Sequence, residues 1–186
     1  MARFSFLATP IPGLMLVERQ QREDSRGFLS RLYCAEEFRE IGVRAPILQF
    51  NHTLTRRKGT VRGIHYQFPP HAETKLVSCL HGEIFDVAVD LRKNSPTFLK
   101  WHGEILSPAN QRSLLIPEGF AHGFQALSDD CELLYLHTAA HEPDSEAGIN
   151  ARDPCLKIEW PIEITEMSDR DRSHPMLSAE FSGVAA

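Results

Sequence analysis

The sequence predicts an all-β protein, a sandwich or barrel of the jelly-roll kind. Short runs of alternating apolar and polar residues recur along most of its 186 residues. Turn signals separate them about every 8–12 residues, the spacing of packed antiparallel sheets; they include His81-Gly82, Asn94-Ser95-Pro96, Pro117-Glu118-Gly119 and Ser128-Asp129-Asp130. The 12 Pro and 11 Gly supply the corners that so many short strands need.

The elements follow in order. Residues 13–18 read as a strand, with Leu14, Leu16 and Glu18 alternating against Met15 and Val17. Residues 26–33 read as another, opened by the turn signal Asp24-Ser25. Residues 35–41 form a short helix that Gly42 stops, its narrow apolar face of Phe38 and Ile41 docking onto a sheet. Strands are then expected at 47–51, 59–66, 74–81, 83–90, 98–106, 111–116, 122–126 and 132–137. In the strand over 83–90, alternation places Asp86 on one face with Ile84, Ala88 and Asp90. From Ala139 onward, Pro143, Pro154 and Pro161 make a loop-rich tail with a short helix near residues 168–172.

Length fits a single domain over 1–186, with an N-terminal arm and the tail packed on it. The net charge of −5 argues against a nucleic-acid binder. No apolar run approaches the roughly 18 residues of a membrane span. Residues 1–16 are apolar, but Pro10 and Pro12 and the lack of a cleavage pattern argue against a signal peptide. Cys34, Cys79, Cys131 and Cys155 form no C-x-x-C pair, which fits a reducing cytoplasm.

The densest chemistry lies in Val61-Arg62-Gly63-Ile64-His65-Tyr66-Gln67. Histidine suits general-base work near neutral pH, and arginine suits a forked grip on phosphate. On a regular strand Arg62 and His65 point to opposite faces. A bulge at Gly63 would aim both into one cavity; without it, the segment is an edge strand with a wet polar face. His122, between Gly119 and Gly123, has backbone freedom and room for a ligand, or is a core histidine bonded to a carbonyl. Tyr135 sits in an apolar strand and reads first as core, although a buried phenol also needs a hydrogen-bond partner. Lys75, at a strand start, reads by itself as solvated, and Asp171 as a helix-surface charge. A metal site of His65, Glu73 and His122 is weak, because Gln67 stands where a metal-binding jelly roll of the cupin type carries a second histidine.

These motifs resemble those of the dTDP-4-dehydrorhamnose 3,5-epimerase family. The resemblance runs from about Ile11 to Leu177 through Asp24-Ser25-Arg26-Gly27-Phe28, the Val61–Gln67 run, Lys75-Leu76-Val77, the segment 85–92, Ser95-Pro96-Thr97-Phe98 and the segment 116–124. It implies a cupin-type jelly roll, a homodimer, and no metal or cofactor. It implies a nucleotide-sugar substrate and inversion at C3, C5 or both of a 4-keto-6-deoxy sugar, by default the dTDP-linked one. His65 matches the general base and Asp171 its orienting carboxylate. Tyr135 matches the acid on the opposite face of the sugar. Lys75 and Arg62 match the groups facing the sugar oxyanion and the phosphates. Arg26, Phe28, Gln49 and Asn51 match nucleotide-binding positions, and Asp86 and His122 polar residues of the pocket. Three departures stand out: Arg31 replaces a usual glutamate, Ala139-Ala140 replaces aromatic residues near the base, and Leu99 replaces a usual glycine. The altered positions predict that thymidine diphosphate binds no better than some other nucleoside diphosphate. Alternative readings are a single-centre epimerase on another nucleotide sugar, a non-catalytic sugar-nucleotide binder, and a metal-dependent cupin enzyme.

Overall fold

A computed structural model describes residues 3–185. Among the described residues, thirteen strands, two short α-helices and one turn of 3-10 helix follow one another. The strands are β1 (Phe4–Ala8), β2 (Met15–Arg19), β3 (Arg22–Asp24), β4 (Gly27–Leu29), β5 (Gln49–Thr55), β6 (Val61–Gln67) and β7 (Lys75–His81). Then come β8 (Ile84–Asp90), β9 (Trp101–Leu106), β10 (Arg112–Ile116), β11 (Phe120–Ala126), β12 (Cys131–His137) and β13 (Glu146–Gly148). Helix α1 spans Ala35–Glu40 and α2 spans Asp169–Ser173.

The strands form two antiparallel sheets, of order β1-β2-β10-β7-β12-β5 and β13-β6-β11-β8-β9, beside the small β3-β4 hairpin. From β5 to β8 the chain changes sheet at every strand, and it does so again from β9 to β12. These crossovers make the sandwich a jelly roll, as the patterning predicts.

Three apolar layers hold it. Between the sheets, Leu14, Leu16, Val77, Leu114 and Leu133 meet Ile84, Ala88, Leu106, Phe120 and Phe124. On the outside of the six-stranded sheet, Phe38 of α1 is buried against Phe4, Val17, Leu76, Leu115 and Leu136. On the outside of the five-stranded sheet, the tail lays Ile149, Leu156, Met167 and Val184 over Val61, Ile64, Val87 and Val89. The strand over β8 therefore buries both faces, Ile84, Asp86, Ala88 and Asp90 inward and Val87 and Val89 under the tail.

The structure moves several expected boundaries. Residues 26–33 form a strand only over Gly27–Leu29. Strand β5 runs on to Thr55, because all seven of its residues pair with β12. β1, β3 and β13 go beyond the sequence reading; β13 lies in the Pro-rich tail, where three residues pair with β6. Strand β9 starts at Trp101 rather than Phe98, since Leu99 turns the chain with φ 61°. That left-handed conformation favours glycine, and Leu99 accepts it at a cost of roughly 1–2 kcal/mol.

Candidate active site

A cavity of about 230 Å³ opens between the two sheets. The five-stranded sheet contributes Arg62 and His65 from β6 and His122 from β11; the six-stranded sheet contributes Gln49 and Asn51 from β5, Lys75 from β7, and Tyr135 and His137 from β12.

Gly63 explains how Arg62 and His65 share this space. Opposite β11, His65 pairs with His122 and Arg62 with Phe124, so two residues of β6 face Gly123 alone. This is the bulge the sequence calls for. Gly63 adopts φ 115°, and a Cβ there would stand 2.6 Å from Gly123 Cα and 2.8 Å from the His122 carbonyl oxygen. Only glycine fits.

Each imidazole of the deep cavity is held by a carboxylate. His65 Nε2 lies 2.7 Å from Asp171 Oδ1. A carboxylate ion only accepts, so Nε2 carries the hydrogen and Nδ1 is the basic nitrogen. Asp171 is buried rather than exposed on its helix. Ser168 caps α2, its Oγ accepting from the Asp171 main-chain N–H at 3.0 Å, and the Gly63 N–H reaches Asp171 Oδ2 at 3.4 Å. Burial opposes charge on Asp171, but the bond and charge of His65, followed by Ser168 and Gly63, hold its carboxyl below the ordinary range. On β11, His122 Nε2 lies 2.7 Å from Asp86 Oδ1. There burial wins: it pushes the fully enclosed Asp86 carboxyl up despite His122. Burial likewise pushes the Tyr135 phenol up, with the charge of Asp86 adding to it. A phenol so shifted stays protonated and loaded as a donor. Its ring packs edge-on to His122 at 5.9 Å between centroids.

Lys75 is mostly buried and pairs with Glu73 Oε1 at 3.0 Å, so it is no solvated strand end. Arg62 sits at the rim, one guanidinium N–H donating to the Leu54 carbonyl at 3.2 Å. Gln67 braces two loops, donating to the His71 carbonyl and accepting from the Glu142 N–H.

Two expected groupings do not form within one chain. Arg26 and Phe28 lie on the exposed β3-β4 hairpin, away from this cavity, with Arg26 closed onto Asp24 at 2.7 Å. Glu73 and His122 are committed to other partners, so they do not join His65 as a metal site; the one metal-like cluster among the described residues is His65, Asp171 and His174. The sequence reading leaves out His137, His141 and Glu146, which also line the cavity, and takes Glu73 only as a metal ligand. A histidine at the end of an apolar strand carries no local mark of function; its value comes from cross-strand register.

The family model described as dTDP-4-dehydrorhamnose 3,5-epimerase matches residues 8–179. A dTDP-4-dehydrorhamnose 3,5-epimerase of Shigella flexneri is 45% identical over 166 residues, covering 89% of this chain and 91% of that protein. A dTDP-4-dehydrorhamnose 3-epimerase of Streptomyces niveus is 38% identical, over 90% of this chain and 81% of that one. Among solved structures, the epimerase of Legionella pneumophila in complex with dTDP-4-keto-L-rhamnose superposes with a TM-score of 0.91 at 38% identity, covering 98% of this chain and 99% of that one.

Proposed function

The chain belongs to the dTDP-4-dehydrorhamnose 3,5-epimerase family of isomerases, and from that premise we propose that it inverts C3 and C5 of a dTDP-linked 4-keto-6-deoxy sugar with its own side chains as acid and base. The observation that carries this is the placing of His65 and Tyr135 on opposite walls, one from each sheet. Inversion needs a proton removed from one face of the carbon and returned to the other.

The 4-keto group acidifies the neighbouring C–H bonds. His65 Nδ1 takes a proton, and the electron pair moves onto the keto oxygen as an enolate. The Lys75 ammonium faces that oxygen and stabilises its charge. The Tyr135 O–H then delivers a proton to the opposite face of the carbon as the carbonyl re-forms; solvent reprotonates the phenolate and takes up the proton of the His65 imidazolium. Asp171 fixes the tautomer of His65 and stabilises the imidazolium. Arg62 at the rim grips the diphosphate. Gln49 and Asn51 take the nucleotide end, and His122 with Asp86 holds the sugar.

We also read the chain as one epimerase domain that works as a homodimer. Strand β5 is an open sheet edge carrying exposed Phe50 and Leu54, preceded by exposed Leu48. Such an edge invites a second copy. Arg26 and Phe28 then reach a nucleotide across the dimer rather than in their own chain.

The test is deuterium wash-in from solvent at C3 and C5. His65→Asn should lower exchange at both carbons by on the order of 100- to 10,000-fold. Retention of more than about a tenth of the rate removes His65 from the role. Exchange confined to C3 in the wild type would select the single-centre reaction that the Streptomyces niveus relative is named for.

A further inference from the structure

We propose that His137 and Glu73 are positioning residues for Lys75, the inner links of a hydrogen-bond chain that starts at the cavity mouth with Gln49 and Asn51. The inference rests on the reading of Lys75 as the group facing the enolate oxygen.

The chain is continuous. The His141 main-chain N–H donates to Gln49 Oε1 at 3.0 Å. Gln49 Nε2 donates to Asn51 Oδ1 at 3.2 Å, and Asn51 Nδ2 donates to His137 Nε2 at 3.3 Å. His137 Nδ1 donates to Glu73 Oε2 at 2.7 Å, and the Lys75 ammonium closes the row as an ion pair with Glu73 Oε1 at 3.0 Å. Register builds it: His137 stands opposite Gln49 on one side and Lys75 on the other, so one row crosses β5, β12 and β7.

Both ends dictate the direction of every link. A main-chain N–H can only donate, and an ionised carboxylate can only accept. His137 must therefore carry its hydrogen on Nδ1 and accept on Nε2. Asn51 must then turn its amide nitrogen toward the ring, and Gln49 its own toward Asn51. The result is one imidazole tautomer and two amide orientations with no slack.

The chemistry at the inner end explains the need. The side chains of Lys75, Glu73 and His137 are only 12%, 8% and 10% exposed. An ammonium in that setting requires a counter-charge, and Glu73 supplies it. Burial opposes charge on Glu73 itself, but the His137 bond and the Lys75 charge outweigh it and hold the carboxyl below its ordinary range. Each oxygen of Glu73 has one partner. Without His137, the carboxylate is free to turn both oxygens onto Lys75 and draw it away from the substrate. With it, Lys75 keeps two N–H bonds for the cavity.

The test measures kcat and KM separately. Glu73→Gln, which changes charge without volume, and His137→Phe, which keeps a ring beside Tyr135 but loses the donor, should each lower kcat by about 10- to 100-fold, with KM within about twofold. His137→Asn, whose amide nitrogen can stand where Nδ1 does, should recover activity to within about threefold of wild type. Glu73→Gln should cost nothing further when added to Lys75→Met, read by the sensitive exchange assay, because it acts only through that lysine. Unchanged kcat in Glu73→Gln and His137→Phe, or an undiminished cost of Glu73→Gln on the Lys75→Met background, overturns the proposal. Wild-type exchange in Lys75→Met alone sinks the underlying reading of Lys75 instead.

Discussion

The inner and outer ends of the proposed substrate site are built in opposite ways. At the inner end, His65, His122 and Lys75 are each tied to a buried carboxylate: Asp171, Asp86 and Glu73. At the outer end, Arg26 is exposed and pairs with Asp24 two residues away in the same hairpin, and Phe28 is 67% exposed. Exposed ion pairs contribute little, so Arg26 can exchange Asp24 for a phosphate at small cost. On the proposed reading, the contrast teaches that one chain preorganises the chemistry and leaves recognition to be completed on assembly.

The largest effect belongs to the inner end. Asp171→Asn keeps the shape of the residue but removes the acceptor-only partner of His65 Nε2, which frees the wrong tautomer. Turnover should fall by on the order of 1,000- to 10,000-fold, as the loss of a His-orienting aspartate does elsewhere. The same variant has a pH signature. The Asp171 carboxyl is held low in the folded chain, so its stabilisation is complete above the ordinary carboxylate value of about 4 and is lost as pH falls through the lowered one. Denaturant unfolding from neutral pH to pH 3 should therefore show wild type losing more stability than Asp171→Asn. Parallel losses would mean that the carboxylate is no more stabilised in the fold than out of it.

The outer end should respond differently. Arg26→Ala is expected to raise KM by about tenfold and leave kcat unchanged, the mark of lost uniform binding. At substrate well below KM, mixing it with His65→Asn under subunit exchange should raise activity to about a quarter of wild type, because half the dimers then hold one intact site. No recovery in exchanged mixtures would place Arg26 in its own chain's site and end the contrast.

The smallest effect concerns the base. Arg31 pairs with Glu37 at 3.2 Å, and Ala139-Ala140 offers no stacking surface. Calorimetric titration should find thymidine diphosphate favoured over uridine diphosphate by less than about tenfold. A larger preference would show that the outer end recognises its base after all.

Much of this architecture was legible in the amino-acid order, for identifiable reasons. Strands β6, β7, β8, β11 and β12 announce themselves by alternation or unbroken apolar runs, and the bulge by Gly63. Strand β5 is half hidden because Asn51, His52 and Thr53 are polar: alternate residues line a wet cavity while the others face outward along a free edge. The same wetness makes Lys75 look solvated. Asp171 enters the sequence reading only through family resemblance, since nothing local joins it to a histidine far upstream. His137 is the clearest miss. Its partners come from β5 on one side and the approach to β7 on the other, and register between distant strands leaves no trace in a local pattern.

The docking of α2 has a consequence for how the protein is born. Asp171 follows His65 by 106 residues, and both walls of the cavity precede it in the chain. On the proposed mechanism a nascent chain thus displays its imidazole, lysine and phenol without the carboxylate that makes the imidazole a competent base. The tail also roofs the five-stranded sheet, so a fragment that ends before it leaves Val61, Ile64, Val87 and Val89 bare. On that mechanism, one docking event both completes the base and covers Val61, Ile64, Val87 and Val89.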